Sequence, residues 1–270
     1  MKKIFFTLIA FIVAIAASAQ ERTIKVYEYD DKGNLISTPV FKSAKKVKVV
    51  FEENVLSVSG TTDGYDWVDL GLPSGILWAT CNVGASKPEE YGDYFAWGEI
   101  EPKGQYDEYK WDTYKWCDGS ATTITKYSDE VDNKKELDSE DDAATVKWGD
   151  NWCMPTIMQW DELLNPSNTE VEWTIVNGVS GQKVTSKKNG NILFLPATGY
   201  RHYRALDYVG SEGYYWSRDF RSEGGDSYAW QINFSSDAPV VTSDVPVSSY
   251  ISSRHRYNGQ SVRPVLVQRR

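Results

Sequence analysis

Side chains able to do acid–base, nucleophilic or metal chemistry are few in this sequence and widely spaced. Its 270 residues hold two histidines, His202 and His255, and three cysteines, Cys81, Cys117 and Cys153. Zinc sites use cysteine and histidine at short spacings, typically with a Cys-x-x-Cys pair, and no such pair is present. An activated serine of the hydrolase kind sits on a Gly-x-Ser-x-Gly elbow. His202, flanked by Tyr200, Arg201 and Tyr203, and His255, between Arg254 and Arg256, have no such motif to serve. Two carboxylates that cleave a glycoside must flank the bond, whereas the neighbours Asp141-Asp142 and Asp161-Glu162 would diverge on a helix. The chain is therefore expected to be no enzyme and to use no cofactor and no metal. An odd number of cysteines allows at most one internal disulfide, and buried or unpaired thiols are the expected state.

Charge narrows the class of partner. The chain has 29 basic and 38 acidic residues, a net charge of −9, and two of its lysines, Lys2 and Lys3, lie in the N-terminal leader described below. Binding of nucleic acid or another polyanion through bulk charge is disfavoured. Residues 86–150 hold 18 of the carboxylates against 8 lysines, and eight acidic residues fall between Asp129 and Asp142, a run that reads as a solvated loop or a short exposed helix. Arginine is segregated the other way: Arg22 alone precedes position 200, and nine arginines lie from Arg201 to Arg270. Arginine stacks on aromatic rings and forks onto carboxylates, so this bias points to a recognition surface or to buried ion pairs. Eleven tryptophans could line a sugar groove, but in a compact β-rich domain most of them belong in the core.

The elements that must position these residues are mostly short strands. Residues 1–19 carry Lys2-Lys3, the apolar stretch Ile4 to Ala16 and Ala17-Ser18-Ala19, the pattern of a signal peptide cut before Gln20. The apolar run is about 13 residues, where a membrane span needs about 20. Residues 20–62 read as a small β-rich N-terminal unit: an alternating Ile24 to Tyr29, a turn at Asp31-Lys-Gly-Asn34, then Lys46 to Phe51 and Val55 to Val58. The turn residues Thr61-Thr-Asp-Gly64 mark a boundary, and 63–270 form the main domain. There the clear helix signal lies in Met154 to Leu164, with Thr156 and Gln159 as a capping box, Ile157, Trp160 and Leu164 on one face, and Asn165-Pro166 as the stop. Strands are expected at Ile76 to Cys81, Lys183 to Thr185 and Asn191 to Leu195, with Asn-Gly turns between strands. In Tyr228 to Phe234 the alternation puts Trp230, Ile232 and Phe234 on a core face and turns Gln231 and Asn233 outward.

Several blocks, in order, carry a resemblance: Val68-Asp-Leu-Gly-Leu-Pro-Ser-Gly75, Trp78-Ala-Thr-Cys-Asn-Val-Gly-Ala85, Tyr91 to Glu99, Asn151-Trp-x-Met-Pro-Thr156, Phe194-Leu-Pro-Ala197, Gly213-Tyr-Tyr-Trp-Ser217 and Asn258-Gly-Gln-Ser-Val-Arg-Pro-Val265. Over roughly residues 65–267 the chain resembles bacterial C-type-lectin-like domains, the Fibrobacter succinogenes major paralogous domain and DUF1566-type proteins of Bacteroidetes. The resemblance implies an α+β fold: a C-type-lectin-like domain with short twisted β-sheets and one or two helices, here preceded by the small β-rich unit. It also implies binding rather than catalysis. Met154 to Glu162 further resembles the helix of formylglycine-generating sulfatase activators, which share this fold. Those oxidases hold copper with a closely placed cysteine pair, and no cysteine follows Cys153 here. The calcium loop of sugar-binding lectins is only approximated by Glu101-Pro-Lys103 and Trp148-Gly-Asp-Asn151, and a lysine inside the loop opposes such a site.

Retroelement-diversified variable proteins of related fold place recognition in their last strands and loops, which correspond here to Ser217 to Gly259. The residues so implicated are Arg218, Asp219, Arg221, Tyr250, Arg254, His255 and Tyr257, together with Gln231 and Asn233. Tyrosine, arginine and serine suit recognition because they offer rigid aromatic area and forked hydrogen bonds at low entropic cost. The stretch Ser235 to Pro246 is longer and richer in proline than the family's turn. The expected protein is an exported adhesin or ligand-recognition module at the cell surface, in the periplasm or outside the cell. It would bind a glycan or protein ligand on another cell or surface. The alternative is a structural or assembly subunit of a cell-surface complex that pairs through its N-terminal strands.

Overall fold

The computed structural model describes residues 56–104, 107–222, 225–237 and 247–267, together with the backbone of five short strands before residue 42. The chain divides into two compact units, 1–53 and 54–270. In the smaller, Leu8–Ala10, Tyr27–Tyr29 and Leu35–Ser37 form an antiparallel three-stranded sheet, and Ile24–Lys25 pairs with Val40–Phe41. The expected cleavage site at Ala17-Ser18-Ala19, the turn at 31–34 and the strand at 46–51 lie outside the described residues.

The larger unit is mostly antiparallel β-sheet with two α-helices, an α+β architecture. It begins ahead of the turn Thr61-Thr-Asp-Gly64. That turn is the hairpin between Gly60–Thr62 and Tyr65–Asp69, with Asp63 and Gly64 both at positive φ. These strands open a five-stranded sheet in the order Gly60–Thr62, Tyr65–Asp69, Leu77–Ala79, Val265–Leu266, Trp152–Cys153. The last described strand thus sits between two earlier ones, with Val265 opposite both Trp78 and Cys153. A second sheet, Thr169–Val176, Val179–Ser186 and Ile192–Pro196, is a meander whose first turn is Asn177-Gly178 at φ 49° and 84°. A third, Glu212–Phe220, Tyr228–Ser235 and Ile251–His255, carries the residues of interest, and a small hairpin pairs Tyr200–His202 with Ala205–Asp207.

The helix Ile157–Leu164 forms with its capping box complete: Thr156 Oγ1 accepts from Gln159 N and Gln159 Oε1 accepts from Thr156 N. It buries Trp160, Leu163 and Leu164 against Trp78, Val171, Val184, Leu193, Tyr215, Ile232 and Phe234, where the three sheets meet. A second cluster gathers Trp97, Trp148, Trp152, Trp216, Phe95, Tyr127 and Phe220. Six of the eleven tryptophans are buried and the other five half-buried, so they serve mainly as core. No helix among the described residues is long and apolar enough to cross a membrane.

The acidic run is solvated over most of its length, with Asp129, Glu130, Glu136 and Glu140 exposed, but its end departs from the expected solvated loop. Asp141 and Asp142 are 2 % and 0 % exposed. Asp142 caps the helix Ala143–Trp148, accepting from the backbone N–H groups of Ala144, Thr145 and Met154. Asp141 accepts from Lys126 Nζ at 2.6 Å, Tyr127 Oη at 2.7 Å and Lys115 Nζ at 3.1 Å. Local composition predicts exposure, whereas donors from distant segments make burial tolerable. The three thiols are free.

The blocks that carry the family resemblance interlock as framework. Trp216 Nε1 donates to Phe95 O, Trp97 Nε1 to Ser217 O, and Phe95 pairs through its backbone with Gln260, all near 2.8–3.0 Å. Arg263, fully buried, donates to Asn82 Oδ1 and to the carbonyls of Ala79 and Thr80. Arg256, also fully buried, donates to the carbonyls of Lys126, Tyr127 and Tyr228 and lies over the Trp97 and Phe220 rings. Among the described residues, two of the segregated arginines are therefore neither surface nor ion-paired: main-chain dipoles and ring faces hold their charge.

Candidate ligand-binding site

A cavity of about 430 Å³ opens over the third sheet. Its floor comes from Tyr228–Ser235 and Ile251–His255, where Gln231 stands directly across from Ser252 and Ala229 across from Arg254. The walls are Tyr200 and His202 of the small hairpin, Tyr214 of the neighbouring strand, and Tyr257 and Asn258 of the turn that follows His255. Among the described residues, twelve line it: Tyr200, His202, Tyr214, Tyr228, Gln231, Asn233, Ser252, Ser253, Arg254, His255, Tyr257 and Asn258. No carboxylate and no thiol is among them.

Stacking orders the aromatic walls. His255 lies between Tyr228 and Tyr257, with ring centres 4.4 and 5.4 Å away and interplanar angles of 27° and 13°. The edge of Trp111 meets His255 from 5.6 Å, and His202 Nε2 lies 3.1 Å from Tyr257 Oη. Arg254 lies 3.8 Å from the ring centre of Tyr200 and 4.8 Å from that of Tyr214. These contacts fix rings and guanidinium before any ligand arrives, which lowers the ordering cost of binding. Burial pushes the hydroxyl pKa values of Tyr200, Tyr214 and Tyr257 up, so all three stay protonated at neutral pH. Burial, reinforced by the Arg254 and His202 charges, lowers that of His255 below the usual imidazole value.

Polar groups in the floor form a directed chain. Gln260 Nε2 donates to Gln231 Oε1, Gln231 Nε2 donates to Ser252 Oγ at 2.8 Å, and Ser252 Oγ donates to Asn233 Oδ1. Gln231 is only 2 % exposed, so it faces the cavity side as alternation predicts but is closed over rather than outward in solvent. On the opposite face Ile232 and Phe234 enter the core, while Trp230 is half-buried under the Arg221 guanidinium.

Of the nine residues implicated by sequence, five meet in this cavity: Gln231, Asn233, Arg254, His255 and Tyr257. Arg221 stands just behind the wall, donating to Ser253 Oγ at 2.7 Å. The other three lie elsewhere. Arg218 clamps the acidic segment through Leu137 O and Glu136. Asp219 accepts the Ile157 N–H and the Ser217 hydroxyl at the start of the long helix. Tyr250 is buried in the core, where its hydroxyl accepts from Gln182 Nε2. Sequence reasoning missed Tyr200, Tyr214, Tyr228, Ser252, Ser253 and Asn258 as site residues, and weighed His202 only as a catalyst or a metal ligand. The available signal was that both histidines of the chain sit among arginine and tyrosine, in Tyr200-Arg-His-Tyr203 and Arg254-His-Arg-Tyr257.

Among the described residues, one cluster has metal-ligating geometry, Asp138, Glu140 and Asp141, and it lies outside the cavity. Lys126 Nζ occupies its focus, 2.8, 3.4 and 2.6 Å from the three carboxylates. The cation these acids would bind is therefore supplied by the chain itself. No protein-family model, curated protein or solved structure matches this chain.

Proposed function

We propose that this chain is an exported, non-enzymatic binding protein with a C-type-lectin-like domain, and that the cavity over its third sheet receives a saccharide. The observation carrying this reading is the cavity's composition: preordered tyrosine and histidine rings stand beside amide and hydroxyl groups. Flat ring faces suit the C–H face of a sugar, and amides suit its hydroxyls. The two short helices, the several small sheets and the return of Val265–Leu266 to the first sheet support the fold assignment. Phenols held protonated, beside amide and hydroxyl groups, favour binding over hydrolysis. The test is a glycan array probed with the chain from Gln20 onward, with and without a calcium chelator, beside a Tyr257→Ala/Arg254→Ala variant. Chelator-insensitive binding lost in the variant is the expected result.

A second reading, assembly into a surface complex, has its own observation. Leu8–Ala10, within the expected leader, pairs with Tyr27–Tyr29. Cleavage of the leader would leave that strand edge open to a partner strand. Residues 54–270 form their own compact unit, so deleting 21–53 separates the two roles: assembly is lost and saccharide binding stays.

A further inference from the structure

The cavity departs from the rest of the molecule in charge. The chain has 38 carboxylates, yet among the described residues the twelve that line the cavity include Arg254 and both histidines but no acid. Two arginines outside the cavity do have acidic partners: Arg204 pairs with Glu108 and Arg218 with Glu136. Arg254 has no carboxylate within ion-pair distance among the described residues, and its guanidinium rests on the faces of Tyr200 and Tyr214. Stacking uses the face of a guanidinium, and beyond the N–H that faces the Tyr214 hydroxyl it leaves further in-plane donors available. Arg221 adds a second positive charge behind the wall through Ser253, and it too has no carboxylate partner among the described residues. The rim carboxylate Glu212 is engaged, since it accepts the Tyr214 hydroxyl.

A neutral sugar needs none of this charge, because amides and hydroxyls are enough to hold it. A stacked arginine with no carboxylate partner among the described residues is instead suited to a planar or tetrahedral oxyanion. We propose that the cavity selects saccharides bearing an oxyanion, the carboxylate of a uronic acid or a sulfate ester, with the oxyanion on Arg254 and the sugar ring against Tyr228 and Tyr257. Asn233, whose side-chain carbonyl is already engaged by Ser252, turns its amide donors to the ring hydroxyls. The overall acidity of the chain keeps polyanions off the rest of the surface and leaves this spot as the place where one negative group is welcome. The inference rests on the saccharide reading of the same cavity.

The test is a calorimetric titration of the chain from Gln20 onward with three probes: trigalacturonate, the same trisaccharide with its carboxylates reduced to alcohols, and a sulfated neutral trisaccharide. One oxyanion probe is expected to bind at least about tenfold tighter than the neutral one, the gain typical of a charge-assisted hydrogen bond. The probe that does so identifies which oxyanion is read. Arg254→Gln should erase the preference, and added salt should narrow it, while Asn233→Ala weakens every probe alike. Equal affinity for the neutral probe, or array binding confined to uncharged glycans, overturns the oxyanion inference and leaves the saccharide reading standing. Absence of binding to all three probes and to the whole array, with native near-ultraviolet circular dichroism, overturns both.

Discussion

The side-chain amide of Gln260 donates to the side-chain carbonyl of Gln231. Gln260 belongs to the closing Asn258 to Val265 segment and is held by backbone pairing to Phe95, whereas Gln231 forms the floor of the cavity. Framework and site are thereby joined. The orientation of Gln231 sets that of Ser252 and, through it, the direction in which Asn233 presents its donors.

Replacing Gln260 with leucine tests that chain. The change is nearly isosteric but strands Gln231 Oε1 in a buried position without a donor, a loss of about 1–3 kcal/mol. Denaturant unfolding should show this destabilisation, and titration should show weaker ligand binding even though Gln260 does not line the cavity. Unchanged stability would mean that the floor chain is not formed in solution.

Lys126 should act as the built-in counter-ion of the acidic segment. It pairs with Asp138, Glu140 and Asp141, and hydrogen bonds from Lys126 and Lys134 hold the Asp138 pKa down to about 2. Burial opposes the ionisation of Asp141, yet Lys126, Tyr127 and Lys115 together keep its pKa below the ordinary value. Lys126→Met leaves Asp141 buried with one ammonium fewer, and an equilibrium loss of about 3 kcal/mol is expected. The sign with pH follows from linkage. Carboxylates depressed in the folded state contribute stability above their unfolded pKa and lose it as pH falls through the folded value. The wild type should therefore weaken from about pH 4 downward, and the variant's acid transition should begin at higher pH. Calcium at millimolar concentration should leave the wild-type melting temperature unchanged.

How much of this was legible in the sequence depends on the range of the interactions involved. The capping box of Thr156 and Gln159, the turn at Asn177-Gly178 and the alternation from Tyr228 to Phe234 are local patterns, and each formed where local patterning puts it. The burial of Asp141 and Asp142 was not legible, because its donors come from Lys115, Lys126, Tyr127 and Met154. The same holds within the site. Arg254 and His255 are neighbours in sequence, but Tyr200 and His202 reach them only by sheet topology, and Gln231 is closed over by a residue 29 positions away. Arg218, Asp219 and Tyr250 have the residue types of a recognition surface. They serve instead to fasten the acidic segment, the long helix and the core.

Gly213 opens the block Gly213-Tyr-Tyr-Trp-Ser217 because the Phe234 ring leaves no room for a side chain: an added Cβ would lie 2.2 Å from its ring carbon. Gly213→Ala should cost about 1–3 kcal/mol through overpacking, read as a lowered denaturation midpoint. Phe234→Leu in the same chain should recover part of that loss.

His255 should contribute a pH dependence of the opposite chemical type from the acids. Its ring faces Tyr228, Tyr257 and the edge of Trp111, with Arg254 and His202 as neighbouring charges and the Ser227 backbone as the opposing hydrogen-bond partner. Burial first, and those charges second, lower its folded pKa below the unfolded value of about 6.5. The unfolded chain therefore takes up the proton first, so stability is full above about pH 6.5 and falls as pH drops toward the folded pKa. His255→Gln should flatten that segment of the stability–pH curve. An unchanged slope would place His255 in water rather than among the rings.

The most direct measurement uses the fact that the only two histidines of the chain, His202 and His255, both line the cavity. With histidine isotopically labelled, the imidazole resonances are followed while the best array ligand is added. Saturable movement of both signals, at the same midpoint as the calorimetric titration and absent in the Tyr257→Ala/Arg254→Ala variant, is the predicted result. A ligand that binds by calorimetry while both histidine signals stay still would contradict the cavity as the binding site.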